Sequence, residues 1–267
     1  MPSYNTGKII CESIDSILSQ TYANLELLIS DDHSSDAETI NILKDYANKD
    51  SRVKVFFLEE NGGAGIARNN SIEHATGRYI AFCDSDDQWL PDKLERQLAI
   101  MKEKDCCLSF SSYFTCSHEG EVNGIVIAPK TLTLSQEKRD NKIGCLTAIY
   151  DTSKYGKFFM PTIRKRQDWA LFLTILQKCH VAYAVQEPLA IYRKVPGSIS
   201  SNKLNLIKYN AAVYQEVFGY SKLRSYFYVI TLFLPTYFIK CVRNKINNYR
   251  YHPVVQDFHG VEPGESK

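Results

Sequence analysis

The sequence predicts an α/β fold with a mainly parallel sheet flanked by helices, followed by a C-terminal helical extension. Over the first two-thirds of the chain, short apolar runs alternate with segments of helical periodicity, and this alternation is typical of βαβ units. Two of the apolar runs end in acidic clusters, at residues 31–32 and 84–87. Because ligands of such sheets bind outside the carboxyl ends of the strands, both clusters mark the expected binding edge.

Apolar spacing and helix-start signals place the individual elements. Ile10, Ile14 and Ile17 fall at helical spacing. Asp36 is of the type that caps helix N-termini, and Pro91 suits a first helical turn. The predicted strands cover about residues 25–30, 53–58 and 79–83, and the predicted helices about residues 8–20, 36–47, 66–74 and 91–104.

The second half of the chain is less regular. The run from Trp169 to Leu176 is apolar on almost every side, which predicts a buried helix. The remaining predictions are strand and loop over about 106–142, a short helix over 143–150, strand and turn over 180–193, a loop over 196–201, and two helices after 203.

The composition excludes several classes of protein. A net charge of +2 argues against a dedicated nucleic-acid-binding protein, which is normally more basic. The eight cysteines are scattered and form no CxxC pair, so we expect reduced thiols in the core of a cytosolic protein. No signal peptide is expected where the chain opens on Met1.

Asp84 and Asp86 form the first candidate site. Two carboxylates spaced by one residue at a strand end can face one crevice and hold a hard cation, Mg²⁺ or Mn²⁺, through oxygen. Such a cation would offset the charge of a departing diphosphate. Asp-rich turns after strands also form for turn and cap chemistry alone, so both interpretations stay open at this point.

Three further features suit a nucleotide ligand. Asp31 and Asp32 could accept hydrogen bonds from a nucleobase or a ribose, or they could form an Asx turn and a helix cap. The glycine-rich turn at residues 62–65 lets backbone approach a ligand closely. Arg68 could reach a phosphate or a base, or it could be a solvated helix residue.

Asp168 stands at the start of the predicted apolar helix, after the basic run Arg164 to Arg166. A carboxylate at this boundary is either a helix N-cap or a general base that the apolar helix partly desolvates. Taken alone, the position favours the cap.

Six segments in this order resemble the large group of inverting family-2 glycosyltransferases, which have the GT-A fold. The resemblance covers about residues 1–205, and residues 187–203 are similar to enzymes that build bacterial capsule, lipopolysaccharide and teichuronic acid. The six segments are Pro2 to Asn5, Ser16 to Tyr22, Asp31 to Ser34, Asn61 to Asn69, Asp84 to Trp89, and Arg166 to Trp169.

The resemblance implies a role for each matching residue. Asp168 would be the general base that removes the proton of the acceptor hydroxyl, in a single displacement that inverts the anomeric configuration. Asp86 would ligate Mn²⁺ or Mg²⁺ at the diphosphate. The residues implied in donor binding are Tyr4, Asp32, Arg68, Asp84, Arg193, Ser198 and Ser200, the last three forming a lid over the diphosphate.

The resemblance also implies substrates: a nucleotide-diphosphate sugar, with UDP favoured, and a hydroxyl of a growing, polyprenyl-linked surface polysaccharide. Two departures from the family pattern stand out. The family has several apolar residues before the segment at Pro2, so we expect this chain to begin inside the first strand. Gln167 stands where many relatives carry Glu, but Asp168 is retained and activity is expected.

We expect a catalytic domain over residues 1–205, a basic helical extension over 206–250 and a polar tail over 251–267. The fourteen-residue apolar run from Tyr226 to Ile239 is shorter than the roughly 20 residues that span a bilayer. Its basic flanks favour an interfacial segment on anionic lipid, at the cytoplasmic face of the plasma membrane. Packing on the catalytic domain and a dimer contact are the alternatives.

Three other functions compete with this prediction. An aspartyl-phosphate phosphohydrolase also has Asp-x-Asp after a strand, but Gln88 stands where Thr or Val is expected. A nucleotidyltransferase needs a glycine-rich basic loop after its first strand, and residues 5–8 fit this poorly. A catalytically silent, membrane-associated scaffold of a polysaccharide assembly complex is the remaining alternative.

Overall fold

A computed structural model describes residues 1–194 and 203–251 of the protein. The strands are β1 (Pro2–Ser3), β2 (Leu27–Asp31), β3 (Val53–Phe57), β4 (Tyr79–Ala81), β5 (Gln88–Trp89), β6 (Leu108–Cys116), β7 (Val122–Val126), β8 (Thr131–Thr133), β9 (Ile149–Asp151) and β10 (Val181–Arg193). The helices are α1 (Ile9–Leu18), α2 (Ala37–Lys49), α3 (Ala64–His74), α4 (Lys93–Glu103), α5 (Leu134–Glu137), α6 (Thr152–Tyr155), α7 (Gln167–Cys179), α8 (Lys203–Phe218), α9 (Lys222–Tyr228) and α10 (Leu234–Arg250).

Within the described residues the strands form two sheets. The first has the order β1-β2-β3 and is parallel throughout, as predicted. The second has the order β4-β9-β6-β10-β5, with β7 on β6 and β8 on β10, and only its β6–β10 pair is parallel. The α/β fold is therefore confirmed, but the prediction of a mainly parallel sheet is wrong for this second sheet. Beyond α4 the chain forms the β6–β7 hairpin, which pairs its strands antiparallel, and β4, β5, β8 and β9 also pair antiparallel with their neighbours.

The two sheets meet beside the N-terminus. The amine of Met1 is buried and donates a hydrogen bond to the carbonyl of Leu28 at 2.7 Å, and burial lowers the pKa of this amine to about 6. A mostly apolar cavity of about 510 Å³ lies between residues 25–28 and residues 79–83. β1 pairs with β2 for two residues only, so it does not bridge this gap.

Local sequence signals located most helix ends. Asp36 caps α2 as predicted, and its carboxylate accepts hydrogen bonds from the amides of Glu38 and Thr39. Pro91 lies just before the N-cap of α4 and not in its first turn. The helix predicted over residues 143–150 is wrong: a single 3₁₀ turn, Cys145–Thr147, leads into β9, which pairs with both β4 and β6.

The helix α7 joins the sheets to the C-terminal helices. Its residues from Trp169 to Leu173 are fully buried, as the apolar pattern predicted. The indole ring of Trp169 packs edge-on against Tyr214 of α8 at 5.6 Å between centroids and against Phe233 at 5.4 Å. Residues of the C-terminal helices therefore share a hydrophobic core with α7.

The two helices predicted after residue 203 are present. The second is continuous from Lys222 to Arg250, because α9 runs through a π-helical turn at Val229–Phe233 into α10. The turn widens just before Pro235, which has no amide to donate to the preceding turn. Within the described residues this is the one helix whose length and apolar composition would allow a membrane crossing, and 17% of its most apolar window is buried in the protein.

The C-terminal helix exposes apolar side chains along its length. They recur at helical spacing on the surface opposite the buried Val229 and Phe233. They are Leu223, Phe227, Ile230, Phe238, Ile239, Val242, Ile246 and Tyr249. We call this set the exposed apolar stripe.

The cysteines lie only in part where the sequence analysis expects them, because Cys83, Cys106, Cys107 and Cys116 are buried, whereas Cys11, Cys145, Cys179 and Cys241 are partly exposed. All eight lie within the described residues, and none forms a disulfide there. Cys106 and Cys107 are buried directly before β6 and not within it.

Candidate active site

The acidic loop, residues 84–87, follows β4 and supplies carboxylates to the candidate site. Asp84 is partly exposed, whereas Asp87 is buried and accepts a hydrogen bond from the amide of Arg193 at 3.1 Å. Burial and the negative charge of Asp84 raise the pKa of Asp86 to about 6. Burial and the charges of Asp84 and Asp86 also raise the pKa of Asp87. The carboxyl groups of the loop therefore lie close enough to disfavour one another's ionisation.

Arg193 supports this loop from inside the protein. Its side chain is only 4% exposed, and it donates to the carbonyls of Asp86 at 3.2 Å and His118 at 2.8 Å. It also forms an ion pair with Glu12 of α1. These contacts position the acidic loop. Closure of Arg193 over a diphosphate remains a prediction, and Ser198 and Ser200 lie outside the described residues.

Arg68 lies on α3 and places a cation against the acidic loop. Its guanidinium forms an ion pair with Asp84, and its side chain is 11% exposed. Burial acts to lower the pKa of Arg68, but the charges of Asp84 and Asp168 act in the opposite direction and the net pKa is raised. Arg68 therefore stays charged. The interpretation of this residue as a solvated helix position is wrong.

Asp32 organises the glycine-rich turn. Its two carboxylate oxygens accept hydrogen bonds from the amides of Gly62 at 2.8 Å and Gly63 at 2.7 Å. Gly63 has φ of +87°, which favours glycine. The neighbouring Asp31 makes the local turn with Ser34 that was the alternative interpretation of this pair.

Tyr4 directly follows β1, and 51% of the residue is exposed. Its ring is therefore accessible to a ligand, as donor binding would require. Its role and that of Asp32 toward a nucleobase remain predictions.

Asp168 is the second residue of α7, and Arg166 occupies the N-cap position. The interpretation of Asp168 as a helix cap is therefore wrong. Arg166 has a left-handed backbone with φ of +68°, an uncommon conformation for a residue other than glycine. The carboxylate of Asp168 accepts a hydrogen bond from the side-chain amide of Asn141 at 3.2 Å.

The start of α7 packs closely against the start of α3. A side chain at Gly65 would collide with the amide of Gln167, since an added Cβ would lie 2.5 Å from its nitrogen. The absent side chain lets Gln167 approach α3, one turn before Arg68. Arg68 interacts electrostatically with both Asp84 and Asp168. Asp84 of the acidic loop and Asp168 therefore both lie within electrostatic reach of Arg68.

Two residues of this arrangement escaped sequence analysis. Glu12 partners Arg193, and Asn141 partners Asp168. Glu12 lies in a helix with no motif around it, and Asn141 lies in an irregular loop, so no local signal distinguishes either residue.

The fold is the GT-A fold of glycosyltransferases that use nucleotide-sugar donors. S. aureus TarS in complex with UDP-GlcNAc matches with a TM-score of 0.64 and 22% identity, over 84% of this chain and 67% of that chain. The mannosyltransferase PcManGT from Pyrobaculum calidifontis, in complex with GDP-Man and Mn²⁺, matches with a TM-score of 0.58 and 16% identity, over 82% of this chain and 63% of that one. These two likenesses show the fold alone.

The chain belongs to glycosyl transferase family 2, whose model matches residues 1–155. TuaG of Bacillus subtilis, a glycosyltransferase named for teichuronic acid biosynthesis, is 44% identical over 217 residues, which are 81% of this chain and 86% of that protein. WfgD of Escherichia coli, a UDP-Glc:α-D-GlcNAc-diphosphoundecaprenol β-1,3-glucosyltransferase, is 38% identical over 209 residues, which are 78% of this chain and 81% of that protein. The protein is a glycosyltransferase.

Proposed function

We propose that this enzyme transfers a sugar from a UDP-sugar to a hydroxyl of a growing, lipid-linked bacterial surface polysaccharide, with inversion of the anomeric configuration. The observation that carries the proposal is that Asp84 of the acidic loop and Asp168 both interact with the buried guanidinium of Arg68. A single displacement needs a leaving-group site and a base on opposite faces of the reacting carbon. This arrangement supplies candidates for both.

The acidic loop fits a divalent cation that the donor helps to bind. No group of three or more His, Cys, Asp or Glu side chains suited to a metal occurs within the described residues, which disfavours a cage made by the protein alone. Mg²⁺ and Mn²⁺ are commonly held by one or two carboxylates together with substrate phosphates. Burial and the neighbouring charge of Asp84 raise the pKa of Asp86 to about 6, and a bound cation would favour its ionised form. When bound, the cation would offset charge on the departing diphosphate.

In this proposal the chain's own residues divide the remaining work. Arg68 holds Asp84 in place and adds positive charge beside the diphosphate. Tyr4 and Asp32 contact the base of the donor, and Arg193 holds the acidic loop from beneath. Asp168 accepts the proton of the acceptor hydroxyl as that oxygen attacks the anomeric carbon.

The acceptor side of the proposal rests on the relatives and on the C-terminal helix. WfgD acts on a diphosphoundecaprenol-linked sugar, and TuaG is named for a cell-envelope polymer. The exposed apolar stripe, with exposed Arg243, Lys245 and Arg250 beside it, suits the surface of an anionic membrane. We therefore place residues 1–205, the catalytic domain, at the cytoplasmic face of the plasma membrane, with residues 206–250 as the contact.

Donor binding tests the metal and the donor together. Calorimetry with UDP-glucose and UDP-GlcNAc, in Mn²⁺, Mg²⁺ or EDTA, should show binding that requires the metal. Asp86→Ala should weaken it by about 100-fold or more, since even residues that only orient metal ligands cost 10–100-fold. Asp45→Ala, an exposed carboxylate on α2, is the matched control and should bind as the native chain does.

Binding that is equally tight in EDTA would overturn the metal assignment. The absence of any UDP-sugar binding would overturn the proposed donor and would favour the silent scaffold.

Vesicle flotation tests the membrane contact. The native chain should float with vesicles that contain phosphatidylglycerol, and replacement of Phe238 and Ile239 by Asp should abolish flotation without changing donor binding. Equal flotation of both proteins would exclude the exposed apolar stripe as the contact.

A further inference from the structure

The loop of residues 137–142 connects the candidate base to the C-terminal helix. The loop begins at the end of α5 and lies against α7, where the indole nitrogen of Trp169 donates to the carbonyl of Glu137 at 2.9 Å. The carboxylate of Glu137 is buried and accepts a hydrogen bond from the amide of Lys142 at 3.0 Å, which closes the loop on itself. The loop is therefore a compact unit held next to Asp168.

Asn141 is the member of this loop that contacts Asp168. Its side-chain nitrogen lies 3.2 Å from Oδ2 of Asp168. An ionised carboxylate only accepts hydrogen bonds, so the amide must present its NH₂ group to Asp168. This bond engages Oδ2 and fixes the carboxylate plane. Among residues 1–194 and 203–251 no hydrogen bond engages Oδ1, which can accept from the hydroxyl group of an acceptor.

Lys240 of α10 holds the same loop from the other side. Its ammonium group lies 2.7 Å from Oδ1 of Asp140 and 2.9 Å from the carbonyl oxygen of Asn141. The side chain of Asp140 is 1% exposed, and that of Lys240 is 23% exposed. A buried carboxylate left without its cation is costly. Lys240 therefore stabilises this conformation of the loop through both the carboxylate of Asp140 and the carbonyl of Asn141.

The position of Lys240 is itself fixed by the packing of α10. The π-helical turn before α10 is anchored by Phe233 against Trp169. Near the C-terminal end of α10, Oδ1 of Asn248 accepts a hydrogen bond from the amide of Ile125 in β7 at 2.9 Å. The ammonium group of Lys240 lies between these two anchors and points into the protein, whereas the neighbouring Ile239 is 67% exposed.

We propose that Lys240 is a positioning residue for the catalytic base, acting through the carbonyl and side-chain amide of Asn141 on Asp168. The C-terminal helix is then part of the active-site scaffold as well as the proposed membrane contact. The proposal rests on the proposed role of Asp168 as base. It assigns catalytic importance to one basic residue of the extension and not to its exposed neighbours.

The test is steady-state turnover of the full chain, with UDP-glucose as donor and α-D-GlcNAc-diphosphoundecaprenol or water as acceptor. Lys240→Met and Asn141→Leu should each lower kcat by about 10- to 100-fold, because a displacement of about 1 Å at a reacting group costs about that much. The donor dissociation constant and the KM for the donor should stay native. Lys240→Arg should restore most of kcat, and Lys245→Met, exposed on the same helix, should have no effect.

Asn141→Leu separates positioning from folding, because it leaves the pair of Lys240 and Asp140 intact. Native kcat in this variant would overturn the proposal, as would an equal loss in Lys245→Met. In the Asp168→Asn background, Asn141→Leu should cause no further loss, since residues that act through one group are not additive. Native turnover by Asp168→Asn itself would instead refute the role of Asp168 as base. This single variant keeps Asn141, so its result does not depend on the role of Asn141.

Discussion

The proposed donor side and the proposed base side of the candidate site hold their carboxylates in different ways. On the donor side, residues 31–36, 61–68 and 84–87, several partners are close in sequence, as with Asp31 and Ser34 or Asp36 and Thr39. On the base side, Asp168 accepts a hydrogen bond from Asn141, 27 residues away. The loop of residues 137–142, which carries Asn141, is held in turn by Lys240, about 100 residues further along the chain. On the donor side, Asp32 and Asp84 also pair with residues of other sequence motifs, namely Gly62, Gly63 and Arg68. The base side depends instead on the packing of the C-terminal helices.

Breaking the core shared by α7 and the C-terminal helices should have the largest effect on stability. Trp169 is fully buried between them, so Trp169→Ala should lower the free energy of unfolding by about 3–5 kcal/mol. Urea denaturation followed by circular dichroism should show one transition, because the extension and the catalytic domain share this core. Leu223→Ala, at an 84% exposed position, is the control and should change stability by less than about 0.5 kcal/mol. Two separate transitions would show that the base side is independent of the extension.

A buried lysine of α4 should give a pH-dependent effect of intermediate size. Lys93 is fully buried, its ammonium has no hydrogen-bond partner among the described residues, and it lies 4.2 Å from the ring centroid of Trp89. Burial lowers the pKa of Lys93 from 10.5 to about 7. The unfolded chain therefore binds this proton more tightly than the folded one. The free energy of unfolding should rise as the pH increases from about 7 to 10.5.

Lys93→Met should remove this pH dependence and stabilise the protein by about 1–3 kcal/mol at pH 7. The measurement is thermal or urea unfolding between pH 6 and 10. Lys102→Met, at an exposed position of the same helix, should leave the pH profile native. A native pH profile in Lys93→Met would show that Lys93 is not the cause.

The glycine-rich turn should give the smallest effect. Gly63 has φ of +87°, and an added Cβ would meet no atom within 4 Å, so Gly63→Ala tests backbone strain alone. We expect the free energy of unfolding to fall by about 1–2 kcal/mol. We also expect weaker UDP-sugar binding, because the amides of Gly62 and Gly63 hold Asp32. Gly77→Ala is the control, since its added Cβ would make only an ordinary contact at 3.5 Å. Unchanged donor binding in Gly63→Ala would separate this turn from the donor site.

The same contrast explains which features the sequence predicts. The cap at Asp36 and the strands before both acidic clusters follow from local spacing and residue type, and the structure has them close to where they were expected. The segment around Ile149 is a short apolar run, for which periodicity cannot distinguish a helix from a strand, and long-range pairing with β4 and β6 decides for the strand.

The candidate site shows the same contrast between residues that a local motif marks and residues that only long-range packing brings together. Asp84, Asp86 and Asp168 stand in motifs and could be chosen from the sequence, but their partners could not. Glu12 meets Arg193 across 181 residues, and Lys240 meets Asp140 across 100, so no local pattern reports either contact. The inward direction of Lys240 also differs from what a uniformly basic, lipid-facing extension would show.

The most direct test of the account separates donor binding from turnover. Asp168→Asn keeps the shape of the side chain and removes the base, so it should bind UDP-sugar and metal with native affinity while the transfer rate falls by about 10²- to 10⁴-fold. Calorimetry and the rate of UDP release on the same preparation measure both quantities. Turnover close to the native rate, or loss of donor binding in Asp168→Asn, would contradict the assignment of Asp168 as the base.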